Sequence, residues 1–203
     1  MIERAVGNGV LARWVTGDSV YGNDGKLRLW MEEQNLAHVL GVGGNHFVWI
    51  GWRQQKASTV AAQFPPGIWQ RLSAGRGSKG PRWYEWAAVQ INSMTEGWSR
   101  WLLVRRKVEN AQERAYYRVF APVGTSLAEM VAVAGKRWAV EECFATAKGE
   151  VGLDQYEVRN WTGWHRHVTL SLLAHAYLTV VRTQALGEAP KKRKAPTRTR
   201  SLP

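Results

Sequence analysis

Residues 10–42 run strand, helix, strand, and that order leaves few folds open to the chain. Val10-Leu11-Ala12-Arg13-Trp14-Val15-Thr16 is a short apolar, β-rich run that Gly17-Asp18 breaks. Lys26 to Gln34 reads as a helix, with Asn23 or Asp24 as its N-cap and Asn35 at its end. Ala37 to Val42 is a second apolar run. Two such runs joined by a helix pair in parallel, and sheets of this kind carry their functional residues at the carboxyl ends of the strands. Asp18 occupies such an end. A chain of 203 residues has room for one ordinary domain around this α/β unit.

Beyond it the pattern changes. From Gly43 to Arg82, glycines, prolines and the string Ser73-Ala74-Gly75-Arg76-Gly77-Ser78-Lys79-Gly80-Pro81-Arg82 read as loops around short strands. Trp83 to Ile91, Trp101 to Lys107 and Ala115 to Phe120 are extended runs, expected as an antiparallel meander inserted after the α/β unit. Seven tryptophans fall in this region (Trp49, Trp52, Trp69, Trp83, Trp86, Trp98, Trp101). Most are expected to pack, with one or two left as stacking platforms for an unstacked base. Ser126 to Val151 turns helical, with Ser126 as N-cap, Glu129 completing a capping box and Gly152 ending it. Trp161 to Leu186 is a second long helix, whose stripe of Leu170, Leu173, Ala174, Tyr177, Leu178 and Val181 is expected in the core. The expected divisions are a partial α/β unit at 1–42, a β-rich insert at 43–122, C-terminal helices at 123–187 and a disordered basic tail at 188–203.

Charge directs the search for partners. The chain carries 28 Lys and Arg against 16 Asp and Glu, a net +12. Six of those basic residues and one acid lie in 188–203, so the body is basic as well as the tail. The excess points to a polyanion, most often nucleic acid. No apolar run of 18 residues is present to span a bilayer, and Met1 to Val20 is unlike a secretory signal, so a cytoplasmic, nucleoid-associated location is expected. The single cysteine, Cys143, excludes an internal disulfide and a zinc site built on several cysteines. His165 and His167 lie about 200° apart on a helix and cannot share an ion. Gly75-Arg-Gly-Ser-Lys-Gly lacks the spacing of a nucleotide-binding P-loop but suits a loop that grasps a DNA backbone. No small-molecule substrate is expected.

Arg137, Glu141 and Lys148 are spaced i, i+4, i+11, which puts them at roughly 0°, 40° and 20° on a helical wheel, on one narrow face. A carboxylate between two cations suits a metal held over a phosphodiester. An exposed Arg137–Glu141 pair at i, i+4 suits the same spacing.

Arg137-x3-Glu141-x6-Lys148 resembles the Tyr-x2-Arg-x3-Glu-x6-Lys signature of bacterial insertion-sequence transposases with an RNase H-like DDE domain, with Ala134 standing where the signature has Tyr. Val15 to Gly22 is similar to the strand that carries that family's second catalytic aspartate. Ser73 to Trp86 resembles its β insert, and Tyr156 to Ala176 its terminal helix. The resemblance implies an α/β, partial RNase H-like fold with the β-rich insert between the second Asp and the catalytic Glu helix. It implies two-metal cleavage and strand transfer of DNA, with Asp18 and Glu141 as catalytic residues and Mg2+ ligands. Arg137, Lys148, Lys79 and Arg82 are then DNA-phosphate contacts. The partners implied are transposon ends and a homo-oligomer. No counterpart of the family's first aspartate precedes Asp18, so a fragment inactive alone, binding Mg2+ weakly or not at all, is expected. The other reading is a non-catalytic DNA-binding remnant or an inhibitor of transposition.

Overall fold

The computed structural model describes residues 2–10, 12–77, 80–93 and 95–187. The tail at 188–203, Lys79 and part of the expected first strand, at Leu11, lie outside the described residues. The chain divides into two compact units, Met1–Val140 and Glu141–Pro203.

In the first unit, helix α1 (Ile2–Gly7) precedes strand β1 (Val15–Gly17), a short turn of helix α2 (Ser19–Gly22), helix α3 (Gly25–Glu33) and strand β2 (His38–Val42). The strand–helix–strand order holds, but the expected first strand is corrected: residues 10 and 12–14 are not strand, and β1 takes in Gly17, the residue expected to break it. β1 and β2 are parallel, with Val15 opposite His38 and Gly17 opposite Leu40. Asp24 caps α3 by accepting from the backbone N–H of Lys26 and of Leu27, and Asn35 ends the turn in the left-handed region at φ 52°.

The stretch 43–122 is not a separate layer. Strands β3 (Phe47–Ile50) and β4 (Arg53–Lys56) form a two-stranded hairpin, followed by helix α4 (Ala57–Ala62). Strands β5 (Gln70–Gly77), β6 (Gly80–Ile91), β7 (Trp98–Arg106) and β8 (Arg114–Pro122) then extend the first sheet, in the order β1-β2-β8-β7-β6-β5. β8 joins it antiparallel to β2, with Leu40 opposite Arg118. The meander is therefore as expected, but it shares one sheet with the α/β unit. The expected loop at 73–82 is corrected too. Ser73 faces Trp83, and Arg76 faces Pro81 after a shift of register between Ser73 and Arg76. Pairing with β6 and burial of Ala74 outweigh the local preference of the glycines.

Both faces of the sheet are covered. On one, Val39, Val119, Ala121, Leu103, Trp86 and Ala74 pack against Met130, Val131 and Ala134, which belong to helix α5 (Leu127–Val151). On the other, Leu102, Val104 and Ile91 pack against Val48, Ala57, Val60 and Ala61. The second face also buries charge: Glu32 is 7% exposed and accepts from Arg100 Nε at 3.1 Å on each oxygen. Burial, then the neighbouring Arg28 and Arg100, lowers Arg118 to about 10. α5 starts as expected at Ser126, whose Oγ accepts from Glu129 N–H at 3.2 Å. The Glu129 carboxylate pairs with Arg13 at 3.1 Å.

The second unit holds the rest of α5 and helix α6 (Trp161–Gly187). Gly152, at φ 63°, ends α5 and its carbonyl accepts from His167 Nε2 at 3.0 Å. The expected core stripe of α6 is corrected. Leu170, Leu173, Tyr177, Leu178 and Val181 are exposed, and apolar and polar side chains alternate around this helix without forming a single apolar face. None of the described helices is long and apolar enough to cross a membrane.

Candidate functional site

The site is built outward from Asp18. β1 stops at Gly17, and the next residue turns the chain: Asp18 is extended (φ −83°, ψ −170°) and its Oδ1 accepts from Val20 N–H at 2.9 Å, capping α2. α2 lies directly on β2. A Cβ at Gly22 would stand 1.7 Å from the Gly41 carbonyl oxygen, and a Cβ at Gly41 would stand 3.3 Å from the Asp18 carbonyl carbon. Glycine at both positions allows this approach, which seats Asp18 at the carboxyl end of the parallel pair.

Asp18 lines a groove of about 540 Å³ formed within the first unit. Its charged lining is one carboxylate, Asp18, against four guanidiniums, those of Arg82, Arg105, Arg114 and Arg137. Tyr84, Tyr117 and Trp138 supply aromatic surface. The Arg105 guanidinium lies 4.3 Å from the Tyr84 ring centroid and that of Arg82 lies 4.7 Å from the Trp138 ring. Arg82 also donates to the Gly135 carbonyl at 3.0 Å and to the Ala74 carbonyl, joining β5 to α5. Arg114 Nε donates to the Ala111 carbonyl at 3.0 Å. Burial raises the Tyr117 phenol above its ordinary range, opposed by Arg105 and Arg137. Tyr117 therefore remains a neutral hydrogen-bond donor at neutral pH.

Of the residues expected from sequence, Asp18, Arg82 and Arg137 meet in this groove. Glu141 and Lys148 follow on α5, past the division of the chain, and both are exposed. Sequence reasoning missed Arg105, Arg114, Tyr84 and Tyr117. The alternation Arg82-x-Tyr84-x-Trp86 in one strand was the available signal, because it sends two polar-tipped side chains and a core residue to the same face. Among the described residues no group of three or more His, Cys, Asp or Glu is placed to hold a metal. Carboxylate oxygen suits a hard cation such as Mg2+, but the groove alone offers one such ligand, too few for two metals.

No family model matches the chain, and no curated protein matches it as a relative.

Proposed function

We propose that the chain is part of a DNA transposase of the DDE class, with a partial RNase H-like fold, and that the groove beside Asp18 receives the DNA backbone. The observation that carries this reading is the groove itself: a carboxylate at the carboxyl end of a parallel strand, ringed by four arginines. The parallel β1–α3–β2 unit and the Arg137, Glu141, Lys148 series on one helix support it.

In this reading Arg105 and Arg114 neutralise phosphates, and Tyr117 donates a hydrogen bond to a phosphate oxygen. Arg82 contacts phosphate less than it fixes Gly135, which sets Arg137 toward the DNA. Lys148, Lys79 and the basic tail add contacts along the backbone. Asp18 and Glu141 are the Mg2+ ligands this reading expects, and the metal would supply a charge clamp on the scissile phosphate. Transposon ends are the substrate, a homo-oligomer brings two of them together, and the protein works at the nucleoid. The single carboxylate of the groove favours a second reading, a non-catalytic DNA-binding protein that occupies such ends.

Duplex binding followed against salt and Mg2+ tests both. Affinity should fall steeply with salt, and Arg105→Ala with Arg114→Ala should reduce the log–log slope by about 2, near 0.9 for each phosphate no longer neutralised. A flat salt response refutes DNA binding altogether. Under the transposase reading Mg2+ adds at most a small increment to binding by this chain, and Asp18→Asn or Glu141→Gln abolishes any such increment without weakening metal-free binding. A Mg2+ response unaltered in both variants refutes these two carboxylates as metal ligands and leaves the non-catalytic reading.

A further inference from the structure

The tryptophans of the first unit are not all committed to packing. Trp86 is buried, Trp98 stacks on Phe120 at 4.6 Å between ring centroids, and Trp69 lies under the Arg106 guanidinium at 4.0 Å. The β3–β4 hairpin differs. Trp52, at its tip, is 99% exposed, and Trp49 and Phe47 are 50% and 51% exposed. An indole left wholly in water forgoes the burial that normally retains it, so its presentation needs another cause.

The hairpin holds these rings outward by its own construction. Its inward residue Val48 is fully buried against α4 and the sheet, which anchors one face. Its outward face pairs Phe47 with Lys56 and Trp49 with Gln54. The turn is fastened from outside: Asn92 Nδ2 donates to the Gly51 carbonyl at 2.7 Å, Gly51 N–H donates to Asn92 Oδ1 at 2.8 Å, and Asn92 N–H donates to the Trp49 carbonyl at 2.9 Å. Gly51 adopts φ 56°, as such a turn requires. The turn's backbone is thus already fixed, so no backbone ordering is needed to present Trp52 to a partner.

The chemistry of the face selects the partner. It combines flat aromatic rings with one amide, Gln54, and one cation, Lys56, while Arg53 pairs with Ile50 on the opposite face. No Asp or Glu occurs between Glu33 and Glu85, a stretch that holds basic residues throughout, including Arg53 and Lys56 of the hairpin. Exposed rings beside Lys56, in a stretch of sequence free of carboxylates, match a strand of unpaired nucleotides, whose bases stack while its phosphates meet basic side chains.

We propose that the outer face of the β3–β4 hairpin, with Trp52 at its tip, is a stacking platform for single-stranded nucleic acid, separate from the groove beside Asp18. The platform does not rest on the transposase reading. The Trp52 ring takes no part in the packed interior, so substitutions there read binding alone.

Fluorescence anisotropy of a labelled oligothymidylate gives the test, with a mixed-sequence duplex of equal length and phosphatidylserine vesicles as comparisons. Trp52→Ala should weaken oligothymidylate binding about tenfold, the size of one base–aromatic stack. Trp52→Tyr should retain most of the affinity, Trp52→Leu should behave like Trp52→Ala, and duplex binding should change less than about twofold. Combined Arg105→Ala and Arg114→Ala should instead lower duplex affinity and leave the Trp52 effect intact, which separates failure of the groove from failure of the platform. The proposal is overturned if Trp52→Ala binds oligothymidylate as the unsubstituted chain does. It is equally overturned if Trp52→Leu retains binding, or if only vesicle binding responds.

Discussion

Two identical substitutions on one helix should have opposite effects. Gly135 and Gly149 both lie in α5, and propensity alone makes alanine better than glycine at each by up to about 1 kcal/mol. At Gly149, which is exposed, a Cβ would meet nothing within 4 Å. At Gly135 it would stand 2.1 Å from the Ala74 carbonyl oxygen and 2.8 Å from the Ala74 carbonyl carbon. Backbone cannot rotate away as a side chain can, so α5 must retreat from β5 by about 1 Å to restore contact distance. Overpacking of this kind costs about 1–3 kcal/mol. The retreat also stretches the Arg82 bond to the Gly135 carbonyl, and a bond from a charged donor contributes about 1.5–3 kcal/mol. Allowing for the propensity gain, Gly135→Ala should destabilise by roughly 2–4 kcal/mol, which lowers Tm by roughly 5–15 °C in a chain of this size. Gly149→Ala should raise Tm by a few degrees. Urea and thermal unfolding by circular dichroism measure both. Arg137 and Trp138 follow Gly135 within a turn, so the same retreat should open the groove and weaken duplex binding. A Gly135→Ala variant as stable as its parent would refute the seating of α5 on β5.

Two further outcomes follow from groups buried on the opposite face of the sheet. Burial lowers His38 to about 4 from an ordinary 6.5, so its unfolded form takes up a proton first as pH falls; the stability it contributes is complete above 6.5 and is lost as pH falls toward 4, with about 2 kcal/mol gone at pH 5. Urea midpoints at pH 7 and pH 5 should show this loss, and His38→Gln should remove its share of the difference; an unaltered difference would refute the assignment. Glu32→Gln should cost about 3–5 kcal/mol, because Arg100 loses a buried carboxylate and Arg28 and Arg118 lose the negative charge they share. A variant of parental stability in the same urea assay would show that water already screens this cluster.

Local signals were legible where they needed no distant partner. Asp24 and Asn35 mark the ends of α3 with their own side chains and backbone, and Ser126 marks the start of α5 in the same way. The strand–helix–strand unit followed from the chain order. By contrast, 73–82 looks like loop because its glycines speak only for local freedom, whereas β6 supplies the pairing from the next strand. The place of β8 beside β2 was hidden for a similar reason: nothing in Arg114–Pro122 alone names its neighbour among several antiparallel candidates. At the groove, Asp18 and Arg137 stood out through breaks and spacing. Arg105 and Arg114 are ordinary polar positions of strands, and only the order of the sheet brings them to the same end as Asp18.

Five arginines of the sheet fall into two kinds, and the difference bears on where positive charge can act. Away from the groove, Arg100 is answered by Glu32 and Arg106 by Glu85, whose Oε2 lies 2.7 Å from its Nε. Each pair cancels a charge within the fold. Arg82, Arg105 and Arg114 are held differently, by the carbonyls of Ala74, Gly135 and Ala111 and by the rings of Trp138 and Tyr84. A carbonyl or a ring fixes the direction of a guanidinium without neutralising it. Three oriented positive charges therefore stand around Asp18 with their positions already determined, at no further ordering cost when an anion enters. A single small anion would satisfy one or two of them; a chain of phosphates spaced along a backbone would satisfy all three at once. Under the proposed function, that match between fixed cations and a repeating anion favours the groove, over the basic surface in general, as the place where a nucleic-acid backbone would dock.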